Sequence, residues 1–396
     1  MHRATRFLIG AALLAPLGWA GTAQAQMPNC NDPMFPNPIV MAGSSAIEPT
    51  LAKMAVKLAA QNVTIIYKPT ASCDGPNAIT NDTVLTGNAD YYVVNAADAT
   101  KVDIKNCSLD NVPTKALIGI SDVSYNACVG ALPANLGDYQ AMVQAMLLVV
   151  PELNKTTTTM SAEQAQVIWG CGMKGANFTD ETAIQQRNAQ SGTQIMVSKY
   201  IGLSAEAMKG HANAKTGDLV ASLLAVPDPQ KAIGFVAADA YETRRGMLNA
   251  LAFRGFDQMK AYYPDSDANA VDKINVRDGH YVIQGPLHLI TKVDGNKAVA
   301  DANAKKMIDW LQGTADIEVG KPATYIDIVA GIGNVPQCAM KVRRESDGGF
   351  LQAYKPAAPC GCYFVKAVTK AEPAGCTACT SDTTCGDKKC RFGYCE

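Results

Sequence analysis

Histidine is scarce: 396 residues hold four, and only His211, His280 and His288 lie beyond the amino-terminal segment. Neither a Gly-x-Ser-x-Gly turn nor a His-Glu-x-x-His helix occurs, which removes the usual sequence marks of a serine hydrolase and a zinc hydrolase. None of the three histidines sits in a nucleophile pattern, so the chain reads as a non-enzyme without metal or cofactor. Charge of one sign is also lacking. With Lys+Arg at 35 and Asp+Glu at 36, the net charge of −1 excludes a protein whose work is to coat nucleic acid or an anionic membrane. No apolar run reaches the ~20 residues of a membrane-spanning helix.

What is present begins with a leader. Arg3 and Arg6 precede a mostly apolar run from Phe7 to Ala20, and Ala23-Gln24-Ala25 is a small-x-small cleavage pattern. Residues 1–25 therefore read as a cleaved secretory signal, with Gln26 as the mature start and a periplasmic or secreted destination. No cysteine follows the cut directly, which disfavours a lipid anchor; Cys30 comes four residues later. All 13 cysteines lie beyond the leader, a usage that with export points to disulfides. The odd count leaves at least one thiol free or paired with another molecule.

Cys30, Cys73, Cys107, Cys128, Cys171 and Cys338 are scattered, while seven cysteines crowd between Cys360 and Cys395. The polar turn Glu345–Gly349 marks a boundary, and residues 346–396 read as a cysteine-rich module too short to bury its own core. One Cys-x-x-Cys with one Cys-x-Cys favours disulfides over zinc there, with the connectivity open. Lys388, Lys389 and Arg391 read as a solvated face.

The body alternates strand and helix patterns. Pro38–Met41, Val63–Tyr67, Asp90–Val94, Ala116–Ile120, Ala145–Val150, Ile233–Val236 and Leu287–Ile290 are strand candidates. Leu51, Met54, Ala55 and Leu58 carry helical spacing, Ser161-Ala162-Glu163-Gln164 is a capping box, and Ala302–Leu311 reads as a helix. The alternation predicts an α/β fold with a mostly parallel sheet.

Three helix starts share a character. Gly43-Ser44-Ser45-Ala46, Ala71-Ser72-Cys73-Asp74-Gly75 and Ser191-Gly192-Thr193 are small, hydroxyl-bearing turns after extended segments. Helix starts offer free N–H groups and a partial positive charge of ~0.5, a site for an oxyanion. Taken singly, such turns also cap helices for structural reasons alone. Arg187, four residues before Ser191, adds a cation able to grip an oxyanion with two prongs.

These segments, in order, resemble the periplasmic phosphate-binding proteins of phosphate ABC transporters, within the type II periplasmic solute-binding fold. The resemblance rests on AGSSAIEP at Ala42–Pro49, TASCDGPNAI at Thr70–Ile79, RNAQSGT at Arg187–Thr193, AIGFVAADAY at Ala232–Tyr241 and YVIQGPLHLI at Tyr281–Ile290. It implies two α/β lobes joined by crossing strands, lobe one being 39–122 with 281–345 and lobe two 123–280. It also implies an oxyanion held in the cleft by Ser45, Ala46, Ile47, Ser72, Asn95, Arg187, Ser191, Gly192 and Thr193, with a membrane permease as partner. Two departures stand out. Asn95, or Asp98 after a loop shift, takes the place of the aspartate that accepts the ligand's proton in that family, and Glu48 puts a carboxylate beside the pocket, where it reads as an outward-facing charge. A secreted interaction protein with a degraded pocket, its tail contacting another protein or surface, is the alternative, and a phosphate-ester hydrolase a remoter one.

Overall fold

The computed structural model describes residues 27–172 and 177–396; the expected signal, 1–25, lies outside them. Nine strands form the principal sheet: β1 (Pro38–Ser44), β2 (Thr64–Thr70), β3 (Asn88–Val94), β4 (Val102–Ser108), β5 (Ile118–Ser121), β6 (Leu136–Pro151), β7 (Gly234–Ala237), β8 (Leu248–Ala250) and β9 (Gln284–Lys292). Their order is β7-β6-β9-β5-β1-β2-β3-β4, with β8 also on β6. Packed around them are α1 (Glu48–Ala59), α2 (Asp74–Thr80), α3 (Ala162–Cys171), α4 (Gly192–Tyr200), α5 (Thr216–Leu224), α6 (Ala238–Glu242), α7 (Ala302–Gln312), α8 (Thr324–Gly331) and α9 (Gly361–Thr369).

Local signals set several of these elements. In α1 the periodic Leu51, Met54, Ala55 and Leu58 are the buried stripe, and a proline sits in the first turn, where a missing N–H costs nothing. Ser161 and Gln164 make both bonds of the capping box that starts α3.

The sheet is mixed, and this corrects the expectation of a mostly parallel one. Only β1–β2 and β1–β5 run parallel; β3–β4, β2–β3, β9–β5 and β9–β6 are antiparallel. A helical crossover through α1 returns the chain in parallel, whereas the short link from Val94 to Val102 permits only an antiparallel return.

Two strands join the halves of the molecule. The first part of the 16-residue β6 pairs with β9, and its last part, from Met146, pairs with β7 and β8. Strand β9 carries the chain back to β5. Both strands are buried over most of their length, so they read as apolar runs rather than alternating ones. In the second half Trp169 of α3 meets Phe235 of β7 edge-on, with centroids 5.6 Å apart.

Six disulfides form: Cys30–Cys107, Cys73–Cys128, Cys338–Cys360, Cys362–Cys376, Cys379–Cys390 and Cys385–Cys395. Cys171 is the free, exposed thiol. The tail is anchored by α9, which packs on α8 and sends Phe364, fully buried, into the main core. At the chain's end Glu396 folds back, its Oε1 accepting the Cys362 N–H at 2.7 Å near the start of α9. The Lys389–Asp382 pair, 3.2 Å apart, is exposed on both sides, as expected of a solvated basic face.

Candidate functional site

Because β1, β2 and β5 are parallel, their carboxyl ends share one edge of the sheet, the usual place for a ligand in such folds. Ser45 follows β1, Ser72 follows β2 and Asp122 follows β5. Glycines let the loops meet: a Cβ on Gly75 would lie 2.7 Å from the Ala42 carbonyl oxygen, and one on Gly119 would lie 2.4 Å from that of Gly75. The start of α2 thus sits directly on β1 and β5, and Ser72 reaches Asp122.

The other half closes on this edge with the start of α4. The Gly192 N–H donates to Ser72 Oγ at 2.9 Å, Ser72 Oγ donates to Asp122 Oδ2 at 3.1 Å, and Thr193 Oγ1 donates to the same oxygen at 3.4 Å. The Cys73 N–H also donates to the Gln190 carbonyl at 3.2 Å. Three of the expected residues, Ser72, Gly192 and Thr193, therefore converge, and they converge on an aspartate that sequence reasoning missed. Ser191 is buried and precedes α4 as its cap residue without a side-chain cap bond.

Arg187 ends the short strand Gln185–Arg187, paired with His211–Asn213. Its expected two-pronged grip is directed elsewhere: Nε donates to the Asn213 carbonyl at 3.3 Å, Nη1 to Thr216 Oγ1 at 2.8 Å and Nη2 to the Ala214 carbonyl at 2.9 Å. What reaches the cleft from this buried arginine is its charge, which favours ionised Asp122.

At the first turn, Ser44 accepts the Ala46 N–H at 3.2 Å, and Tyr67 Oη donates to the Ser44 carbonyl at 2.5 Å. Ala46 thus spends its N–H within the turn. Ser45 Oγ is buried without a hydrogen-bond partner. The Ile47 side chain is fully buried in the core.

Asn95 stands apart from this cluster. Strand β3 is antiparallel to β2, with Tyr67 opposite Asp90 and Ile66 opposite Tyr91, so its carboxyl end lies at the opposite edge of the sheet. There Asn95 Nδ2 donates to Asp103 at 2.7 Å, and its Oδ1 accepts the N–H groups of Ala97 and Asp98. Asp98 is bonded to Thr100 and paired with Lys101; those bonds hold its carboxyl down at about 2. The carboxylate beside Ser72 and Thr193 is Asp122, not Asn95 or Asp98, and Ile118-Gly119-Ile120-Ser121-Asp122 was the signal available for it.

Electrostatics separate the carboxyls. Burial raises the pKa of Asp122; hydrogen bonds from Ser44 and Ser72, the Arg187 charge and Thr193 oppose it, and the balance is a raised value. Glu48 is not the outward-facing charge expected: burial, then the charge of Asp90 and a hydrogen bond shared with it, push its carboxyl up to about 7, with Lys215 pulling the other way. A folded-state value above the ordinary 4.5 adds stability in acid that is lost as pH rises through about 7. Between about pH 5 and 8 the wild-type melting temperature is therefore expected to fall relative to Glu48→Gln, in which this titration is gone; parallel melting curves at every pH would remove the assignment.

No known protein-family profile matches the chain, and no curated protein matches it. Among solved structures it is similar to a chain described as a candidate phosphate ABC transporter substrate-binding protein from Clostridium perfringens, with bound phosphate: 14% identity, TM-score 0.49, over 76% of this chain and 99% of that one. An ABC-type phosphate transport receptor from Vibrio cholerae gives 15% identity and TM-score 0.47 over 75% and 99%. A high-affinity periplasmic phosphate-binding protein solved with phosphate gives 11% and 0.48 over 75% and 90%.

Proposed function

We propose that this is an exported binding protein that captures inorganic phosphate, or a related tetrahedral oxyanion, between its two halves without covalent chemistry, and that a membrane ABC permease receives the ligand. The observation that supports it is the setting of Asp122: a buried carboxylate among hydroxyl donors from both halves, a helix start and the field of Arg187. Donors with one acceptor suit an oxyanion that still carries a proton: Ser72, Thr193 and the α4 start offer hydrogens to its bare oxygens, and Asp122 accepts its O–H. Fully ionised sulfate has no proton to give and leaves Asp122 facing a like charge.

One observation favours a second reading. The Gly192 N–H and the Thr193 hydroxyl bond directly to Ser72 and Asp122 across the cleft, so the protein itself takes up donors that a ligand would use. A permanently shut cleft would suit an interaction protein whose cysteine-rich tail touches a partner or surface.

Calorimetric titration of the oxidised protein with phosphate at two pH values, with sulfate alongside, decides between them. Phosphate uptake without sulfate is expected. Uptake of both would make it a general oxyanion receptor, and uptake of neither would leave the interaction reading in its place.

A further inference from the structure

A second buried carboxyl belongs to the cleft. Asp239 opens α6 directly after β7, and α6 packs against both α1 and the Ser45–Ile47 turn. Its side chain is fully buried, at 0% exposure. Oδ1 accepts the Ala240 N–H at 2.7 Å, while Oδ2 has no hydrogen-bond partner. Two other buried oxygens of the cleft share that condition: Ser45 Oγ, on the turn that α6 touches, and Asp122 Oδ1. Buried polar atoms in folded proteins are almost always bonded; a polar ligand between the halves would give these three oxygens the partners they lack.

The pair of aspartates cannot both be charged at low cost. Asp122 has Ser44, Ser72, Thr193 and Arg187 to support its ionised form. Asp239 has only backbone N–H groups and the charge of Arg244, against burial and the charge of Asp122, and is pushed well above the carboxylate range. From the elements packed on α6, the remaining charged groups are Glu48, Lys53 and Lys57 of α1; Glu242 lies on α6 itself and Arg245 just beyond it, and Asp265 and Lys273 bond to these two, while β7, the Ser45–Ile47 turn and the stretch of β6 that pairs with β7 carry none.

We propose that Asp239 is a specificity-determining residue of the cleft: it meets the anion as a neutral acid and donates its Oδ2 hydrogen to a ligand oxygen, while Asp122 accepts the ligand's own proton. This rests on the oxyanion reading above. The two carboxyls then have opposite roles, one donor and one acceptor, and the ligand they jointly fit is a singly protonated oxyanion.

The test is calorimetric titration with inorganic phosphate of the wild type, Asp239→Asn and Asp239→Leu, each first checked by thermal melting. An amide keeps a donor of the same shape, so Asp239→Asn should match the wild type at about pH 6. Asp239→Leu should bind at least tenfold more weakly. The contrast between Asp239→Asn and Asp239→Leu at that one pH isolates the donated hydrogen, because only the first keeps a donor there. A Leu variant that binds like the wild type, or an Asn variant that binds as weakly as the Leu variant, overturns the proposal. If instead the wild type takes up no phosphate, the reading of the cleft has failed, and the proposal with it.

Discussion

An Asp265→Ala variant is expected to unfold with about 3–5 kcal/mol less free energy than the wild type, because it strands a buried cation. The Lys273 side chain is 1% exposed. Its Nζ lies 2.8 and 3.0 Å from the two Asp265 oxygens and 2.5 Å from Glu242 Oε1. Asp265 also accepts the Lys273 N–H at 2.7 Å and Arg245 Nη2 at 2.8 Å. Arg245 in turn grips Glu242 with two prongs at 2.6 and 2.7 Å. The network closes around the end of α6, so it fixes the helix that carries Asp239. Burial pushes the Glu242 carboxyl up, but Arg245 and Lys273 outweigh it and the net shift is downward. Its contribution is accordingly present above the ordinary carboxylate value and fades as pH falls. Urea unfolding at neutral pH measures the loss; a difference under about 1 kcal/mol would mean that Glu242 alone satisfies Lys273.

Gly192→Val is expected to weaken phosphate binding at least a hundredfold, about 2.7 kcal/mol, while the protein stays folded. A Cβ at this position would stand 2.6 Å from Ser72 Oγ and 2.8 Å from Asp122 Cβ, and both groups belong to the other half of the molecule. A side chain there wedges the halves apart and pulls the α4 start away from the ligand. Each half keeps its own core, since the contact crosses the cleft rather than filling a core. Titration of the variant with phosphate, beside its melting curve, separates the two effects; wild-type affinity in a folded Gly192→Val protein would place the ligand elsewhere.

Much of this arrangement was legible in the sequence, for identifiable reasons. The stripe of α1, the capping box at Ser161 and the hydroxyl turns at Ser72 and Ser191–Thr193 are local patterns, and local chemistry decides them. Asp122, which the reading of Asn95 or Asp98 passed over, was a different problem from these. Asn95 and Asp122 both follow a short strand, and nothing in Ala89–Asn95 or Ile118–Asp122 records which way that strand runs in the sheet. Its direction comes from pairing with distant residues, antiparallel to β2 for one and parallel to β1 for the other. Arg187 was legible as a cation close to the Ser191–Thr193 turn, but not that Asn213, Ala214 and Thr216 would occupy its prongs. The Lys273 network joins residues from Glu242 to Lys273 that follow no periodic spacing, and the cysteine count of the tail hid the apolar face by which α9 reaches the core.

The direct bonds across the cleft, Gly192 N–H to Ser72 Oγ, Thr193 Oγ1 to Asp122 Oδ2 and Cys73 N–H to the Gln190 carbonyl, have a thermodynamic consequence under the proposed function. If a ligand enters only molecules in which they are broken, the measured dissociation constant equals the intrinsic one divided by the fraction of open molecules. Substitutions that only loosen the shut form would then tighten apparent binding without touching any ligand contact, and the strength of these protein–protein hydrogen bonds would set the concentration to which the protein responds.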